Sequence, residues 1–151
     1  MCNFLSALVL QNGDVLHHPM LDSHSDLVTY FKLPDANAHI RRFAKVELVP
    51  VDWMDASTWT FRLDENTAPA WWGDVAADAE SKLRAIANRM ILRDGERELI
   101  VDGCWIVGGT AKVRDVRSGW IRRVQDSATI RDVGGSATMD ASATAHKKDS
   151  Q

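Results

Sequence analysis

Cysteine, tyrosine and long apolar runs are scarce in this chain, and neither sign of charge dominates it. Each shortage removes a class of protein. Cys2 and Cys104 are the two cysteines, at the start and in the middle of the chain with no signal-like segment ahead of them. A secreted disulfide scaffold is therefore not expected, and a cytoplasmic location is. The longest apolar runs, at residues 4–10 and around Ile106-Val107, fall short of the roughly 20 residues that cross a bilayer as a helix. No membrane role is expected. A net charge of −3 over 151 residues suits neither a long nucleic-acid partner nor a membrane surface. Gly108-Gly109 and Gly134-Gly135 lack the further glycine spacing and the Lys-Ser/Thr ending of a phosphate loop. A nucleotide triphosphatase is not expected, and no cofactor is implied.

What remains is a globular composition, 45% apolar and 26% charged, long enough to bury a core without disulfides or metal. The expected fold class is α+β: an N-terminal antiparallel sheet with two helices, followed by a short C-terminal β-solenoid-like repeat. Residues 4–10 are apolar and end at Gln11-Asn12-Gly13-Asp14, whose Asn-Gly suits a tight hairpin turn into a return strand at 15–18. Asp22-Ser23-His24-Ser25-Asp26 offers side-chain oxygens to cap a helix through Leu27, Val28, Tyr30, Phe31 and Leu33, which Pro34 ends. Alternation predicts strands at 42–50 and 58–64. Pro69 opens the longest helix, whose buried face is Val75, Ala79, Leu83, Ile86 and Met90, and Gly95 stops it. Residues 98–101 and 104–107, split by Asp102-Gly103, read as a further hairpin.

Gly108-Gly109 is the expected joint, giving an α+β domain at 1–108, a β-repeat oligomerisation region at 109–145 and a disordered tail at 146–151. Beyond the joint, Thr110-Ala111-Lys112-Val113, Ser118-Gly119-Trp120-Ile121, Ser127-Ala128-Thr129-Ile130 and Ser136-Ala137-Thr138-Met139 align. A small residue stands two before an aliphatic one, and in the first three units a valine follows three later. The small residue admits a bend, the aliphatic pair points inward, and each unit of about nine residues needs a neighbour to cover it. About four units leave two ends open, which another copy of the chain would cover. A homo-oligomer is expected.

Three sets of residues could carry chemistry. If Met1 is removed, Cys2 presents a thiol beside a free α-amine, the arrangement of amino-terminal nucleophile hydrolases. As an enzyme the chain would use Cys2 as nucleophile, His18 or His24 as base and Asp22 or Asp26 as orienter. The competing reading is a small buried cysteine, helix capping by Asp22 or Ser23, and solvated histidines. His17, His18 and His24 match no standard zinc spacing, and no metal set is assigned. In the repeats, residues 110–133 hold six basic and three acidic side chains. There Trp120 could stack on a base while Arg122, Arg123 and Arg131 hold an anion, a site for a nucleotide-like ligand. The competing reading is a solenoid corner filled by Trp120 and arginines paired with Asp115, Asp126 and Asp132.

The Met-Cys start resembles that of class II glutamine amidotransferases and of SRAP proteins, although Asn3-Phe4 stands where both have a glycine after the cysteine. Over most of its length the chain is more similar to a group of small bacteriophage and prophage proteins. The likeness lies in Met1-Cys2-Asn3-Phe4-Leu5-Ser6-Ala7, Asp22-Ser23-His24-Ser25-Asp26-Leu27, Pro69-Ala70-Trp71-Trp72 and the Ser-Ala-Thr repeats. That resemblance implies a phage context, in which accessory proteins of this size bind a host protein or sequester a small defence signal. The expected function is an oligomeric binding protein, with a nucleotide-like signal or a host protein as partner. A Cys2-dependent hydrolase or transferase and a purely structural assembly protein are the alternatives.

Overall fold

The computed structural model describes residues 4–34, 42–140 and 143. The chain is mixed α+β and divides into two compact units, residues 1–88 and 89–151. Cys2 and the expected tail at 146–151 lie outside the described residues.

Unit 1 is built on an antiparallel sheet in the order β2-β1-β3-β4, with β1 at Leu5–Leu10, β2 at Val15–Leu16, β3 at Phe43–Val49 and β4 at Thr60–Leu63. The Asn12-Gly13 turn joins β1 to β2 as expected. Leu10 N donates to Asp14 O, and Gly13 takes φ +90. Successive strand residues point to opposite faces, which puts Leu8 and Phe43 together on the side where Leu27 completes a buried apolar cluster. Leu27 belongs to helix α1, His24–Tyr30. Ser23 is the N-cap residue of α1, but no side-chain capping bond is made there; its hydroxyl meets that of Ser25 instead. A short 3-10 turn at Ala56–Thr58, capped by Asp55, leads into β4. Trp59 beside it is fully buried, with its indole N–H donated to Asp52 O at 2.6 Å. Helix α2 runs from Trp72 to Met90, three residues later than Pro69, and buries Ala79, Leu83, Ala87 and Met90. Trp72 stacks on Phe61, and Arg84 ties the helix to the Ala56 and Trp59 carbonyls. Among the described residues, no helix is long and apolar enough to cross a membrane.

Unit 2 is built from parallel strands. Its strands are β5 at Ile91–Leu92, β6 at Glu96–Ile100, β7 at Cys104–Val107, β8 at Lys112–Val116, β9 at Trp120–Val124, β10 at Thr129–Val133 and β11 at Thr138–Met139. They alternate between two wholly parallel sheets, ordered β10-β8-β6 and β11-β9-β7-β5. The expected hairpin over residues 98–101 and 104–107 is therefore corrected: β6 pairs with β8, and β7 with β5 and β9. A left-handed residue serves a corner as well as a reversal, and Gly103 at φ +80 carries the chain from one sheet to the other. Parallel pairing wins because it places Ile100 beside Val116 and Val107 beside Val124, all within one apolar core. β5, directly after α2, already pairs within unit 2, so Gly108-Gly109 lies inside unit 2, between β7 and β8. The aliphatic pairs of the repeats do point inward: Val113, Val116, Ile121, Val124 and Ile130 are buried. Ala143 is also fully buried in this core.

Candidate functional site

Three buried polar residues are described in a chain whose core is otherwise apolar, Ser6, His24 and Glu47. All three belong to unit 1 and converge. Ser6 on β1 faces Glu47 on β3, and Glu47 faces Arg62 on β4, so the three form a row across the sheet. Strand alternation sets this row on the same side as Leu8 and Phe43, the side that α1 covers. The Ser6 hydroxyl donates to Asp22 O at 2.7 Å, fixing the segment that enters α1. His24, the first residue of that helix, is thereby held over β3, where its Nε2 lies 2.9 Å from Val46 O. On the other side of the ring, Nδ1 is 3.3 Å from Asp64 Oδ2. Asp64 follows β4 and is anchored by its own N–H, donated to Lys45 O at 2.8 Å.

Charge within the row is compensated at one point. Arg62 donates from Nε at 2.8 Å and from Nη2 at 2.5 Å to Glu47 Oε2. A carboxylate removed from water needs such a partner, since an isolated buried charge is strongly unfavourable. Arg62 is half exposed while Glu47 is buried, so the guanidinium forms the solvent side of the pair. A shallow polar cavity of about 370 Å³ opens there, lined by Arg62, Leu63, Asp64, Glu65 and Asn66. His24, Glu47 and Asp64 each turn a donor atom inward, and these atoms lie within 4.8 Å of one another.

Of the described residues singled out from the sequence, His24 brings its side chain to this cluster. No family model, curated protein or solved structure matches the chain. His18 meets Tyr30 with ring centres 4.6 Å apart and planes tilted by 58°, and accepts the Met20 N–H at Nδ1. Asp22 contributes its main-chain carbonyl to Ser6, and Asp26 is exposed in the first turn of α1. The carboxylate that His24 Nδ1 faces is that of Asp64. Glu47, Arg62 and Asp64 were missed because β3 and β4 alternate, and alternation reads polar positions as a wet face. The available signal was Glu47 itself, set in Ala44-Lys45-Val46-Glu47-Leu48-Val49 opposite an arginine-bearing strand.

In unit 2 the expected anion-binding residues already have partners within the chain. Trp120 donates its indole N–H to Asp140 Oδ1 at 2.7 Å, and Arg122 Nε is 2.9 Å from Asp140 Oδ2. The guanidinium of Arg122 lies 4.0 Å from the centre of the Trp120 ring. Asp140 thus occupies the place assigned to an external anion. Arg123 donates to Gln125 at 2.8 Å, and Arg131 is exposed, 3.8 Å from Asp132. Asp140→Ala is expected to cost about 2 kcal/mol, the worth of a hydrogen bond to a charged group, here that of the Trp120 N–H. Urea unfolding measures this, and a loss under about 0.5 kcal/mol, the range of an ordinary surface substitution, would mean that the Trp120–Asp140–Arg122 set holds nothing together.

Proposed function

We propose that this is a self-assembling accessory protein of phage type, in which unit 2 is a short β-solenoid that joins copies of the chain and unit 1 carries the polar site. One observation supports the assembly reading above the others: among the described residues, both parallel sheets of unit 2 end in strands with a partner on one side only, β6 and β10 in one sheet, β5 and β11 in the other. Unpaired strand edges pair readily with another chain. Leu99 and Val101, at and just beyond the end of β6, add exposed apolar surface at such an edge. The likeness of residues 22–27 and 69–72 to small bacteriophage proteins agrees with an accessory role.

Self-association is better supported than capture of a nucleotide-like signal, because Trp120 and Arg122 already close on Asp140. Native mass spectrometry is expected to find dimers or larger species at micromolar concentration, and Leu99→Lys to shift the population toward monomer. A wild-type protein that stays strictly monomeric would overturn the proposal. Cyclic dinucleotides are expected to leave the melting temperature unchanged; a rise would restore the anion-binding role, since a ligand that prefers the folded state stabilises it. A cysteine-dependent enzyme is the second reading, favoured by the His24–Asp64 pair. Retention of Met1, read from the intact mass, would remove its amino-terminal nucleophile.

A further inference from the structure

The geometry points to a divalent transition-metal site in unit 1, held by His24, Asp64 and Glu47 and independent of the assembly proposed for unit 2. A carbonyl oxygen accepts hydrogen bonds and never donates them, so the 2.9 Å contact with Val46 O assigns the ring proton of His24 to Nε2. Nδ1 is left to face the carboxylate of Asp64. Metal-binding histidines are oriented in this way, with one nitrogen donating to a carbonyl or carboxylate and the other turned to the ion.

The spacing fits. Zinc bonds to nitrogen and oxygen of about 2.0–2.1 Å imply neighbouring tetrahedral ligands about 3.3 Å apart, and Nδ1 and Asp64 Oδ2 are separated by 3.3 Å. A proton could bridge that pair equally well, but a proton has no use for a third donor. The Glu47 carboxylate supplies one, buried and within 4.8 Å of the other two, so a small rotation brings it to the ion. Glu47 Oε2 is already held by Arg62, which presets the orientation of the carboxylate. One imidazole and two carboxylates make a nitrogen–oxygen donor set suited to Zn²⁺ or Mn²⁺. Arg62 and Asp64 also line the cavity, which gives the site a side facing solvent.

The test uses the full chain stripped with chelator and titrated calorimetrically with Zn²⁺ and with Mn²⁺. One equivalent is expected to bind to the wild type. Asp64 is 45% exposed, so Asp64→Asn is expected to stay folded, which circular dichroism checks. This variant is expected to weaken binding by more than the roughly 10–100-fold that loss of an outer-shell partner costs. Asp78→Asn, on the exposed face of α2, is expected to bind as the wild type does. A separate readout is the ¹⁵N resonance of His24, where Zn²⁺ is expected to move Nδ1 far more than Nε2. Absence of binding by the wild type at millimolar metal would overturn the site and leave a proton bridge. Unchanged affinity in Asp64→Asn, or an undisturbed His24 ring, would overturn it as well by locating the ion elsewhere. None of these outcomes depends on whether the chain assembles.

Discussion

Gly109→Ala is expected to destabilise the protein by about 3–4 kcal/mol, far more than Gly95→Ala, although both glycines have positive φ. The left-handed conformation costs an L-residue roughly 1–2 kcal/mol at either position. The difference lies in what a β-carbon would meet. At Gly95, φ +75, nothing lies within 4 Å. At Gly109, φ +59, the new carbon would stand 2.1 Å from the carbonyl oxygen of Arg93, well inside van der Waals contact. Thr110 N donates to that same carbonyl at 3.1 Å, so moving it aside breaks the bond that seats the corner. Overpacking against backbone typically adds about 1–3 kcal/mol. Chemical denaturation of the two variants gives the comparison, and equal losses would show that the corner at Gly109 is looser than its geometry implies.

Arg62→Ala is expected to be the most damaging substitution at the polar row, at about 3 kcal/mol. Removing one partner of a buried pair leaves an uncompensated charge, typically a loss of 3–5 kcal/mol. The half-exposed position of Arg62 places this case at the low end, because water partly replaces the guanidinium. The double variant Glu47→Met/Arg62→Met is expected to recover most of the loss, since it removes the desolvated charge together with its partner. Urea midpoints for the wild type and both variants settle the order. A double variant no more stable than Arg62→Ala would mean that the pair contributes packing instead of compensating charge.

Unit 1 was legible in the sequence wherever local chemistry decides structure. Asn12-Gly13 has few alternatives to a tight turn, and the alternation in β4 and the periodicity of α2 each leave one face to bury. Asp102-Gly103 was misread for a physical reason: a short left-handed turn is compatible with reversal and with a corner, and the choice belongs to strands far along the chain. Ile100 finds its neighbour at Val116, which no local window contains. The inward aliphatic positions of the repeats were correctly read because the same bend and the same buried pair recur. The polar site was half legible. His24 stood out by type, but Glu47 and Arg62 looked like ordinary wet positions until α1 covered that face of the sheet. Two-sided burial of a strand is a tertiary fact, and it turns an unremarkable glutamate into a group that must have a partner.

The alternation of unit 2 between two sheets also sets a rule for changing its length. Each strand lies beside the strand two places away in the chain: Val113 of β8 sits against Arg97 of β6 and Ile130 of β10, skipping β7 and β9. Insertion of one repeat between β9 and β11 would transfer every later strand to the opposite sheet, so that Asp140 would no longer stand on the side of Trp120. Insertion of two would return each strand to its own sheet with its inward residues still in register. Unit 2 can therefore grow or shrink by pairs of repeats, and its natural building block is one strand in each sheet, twice the length of the repeat visible in the sequence.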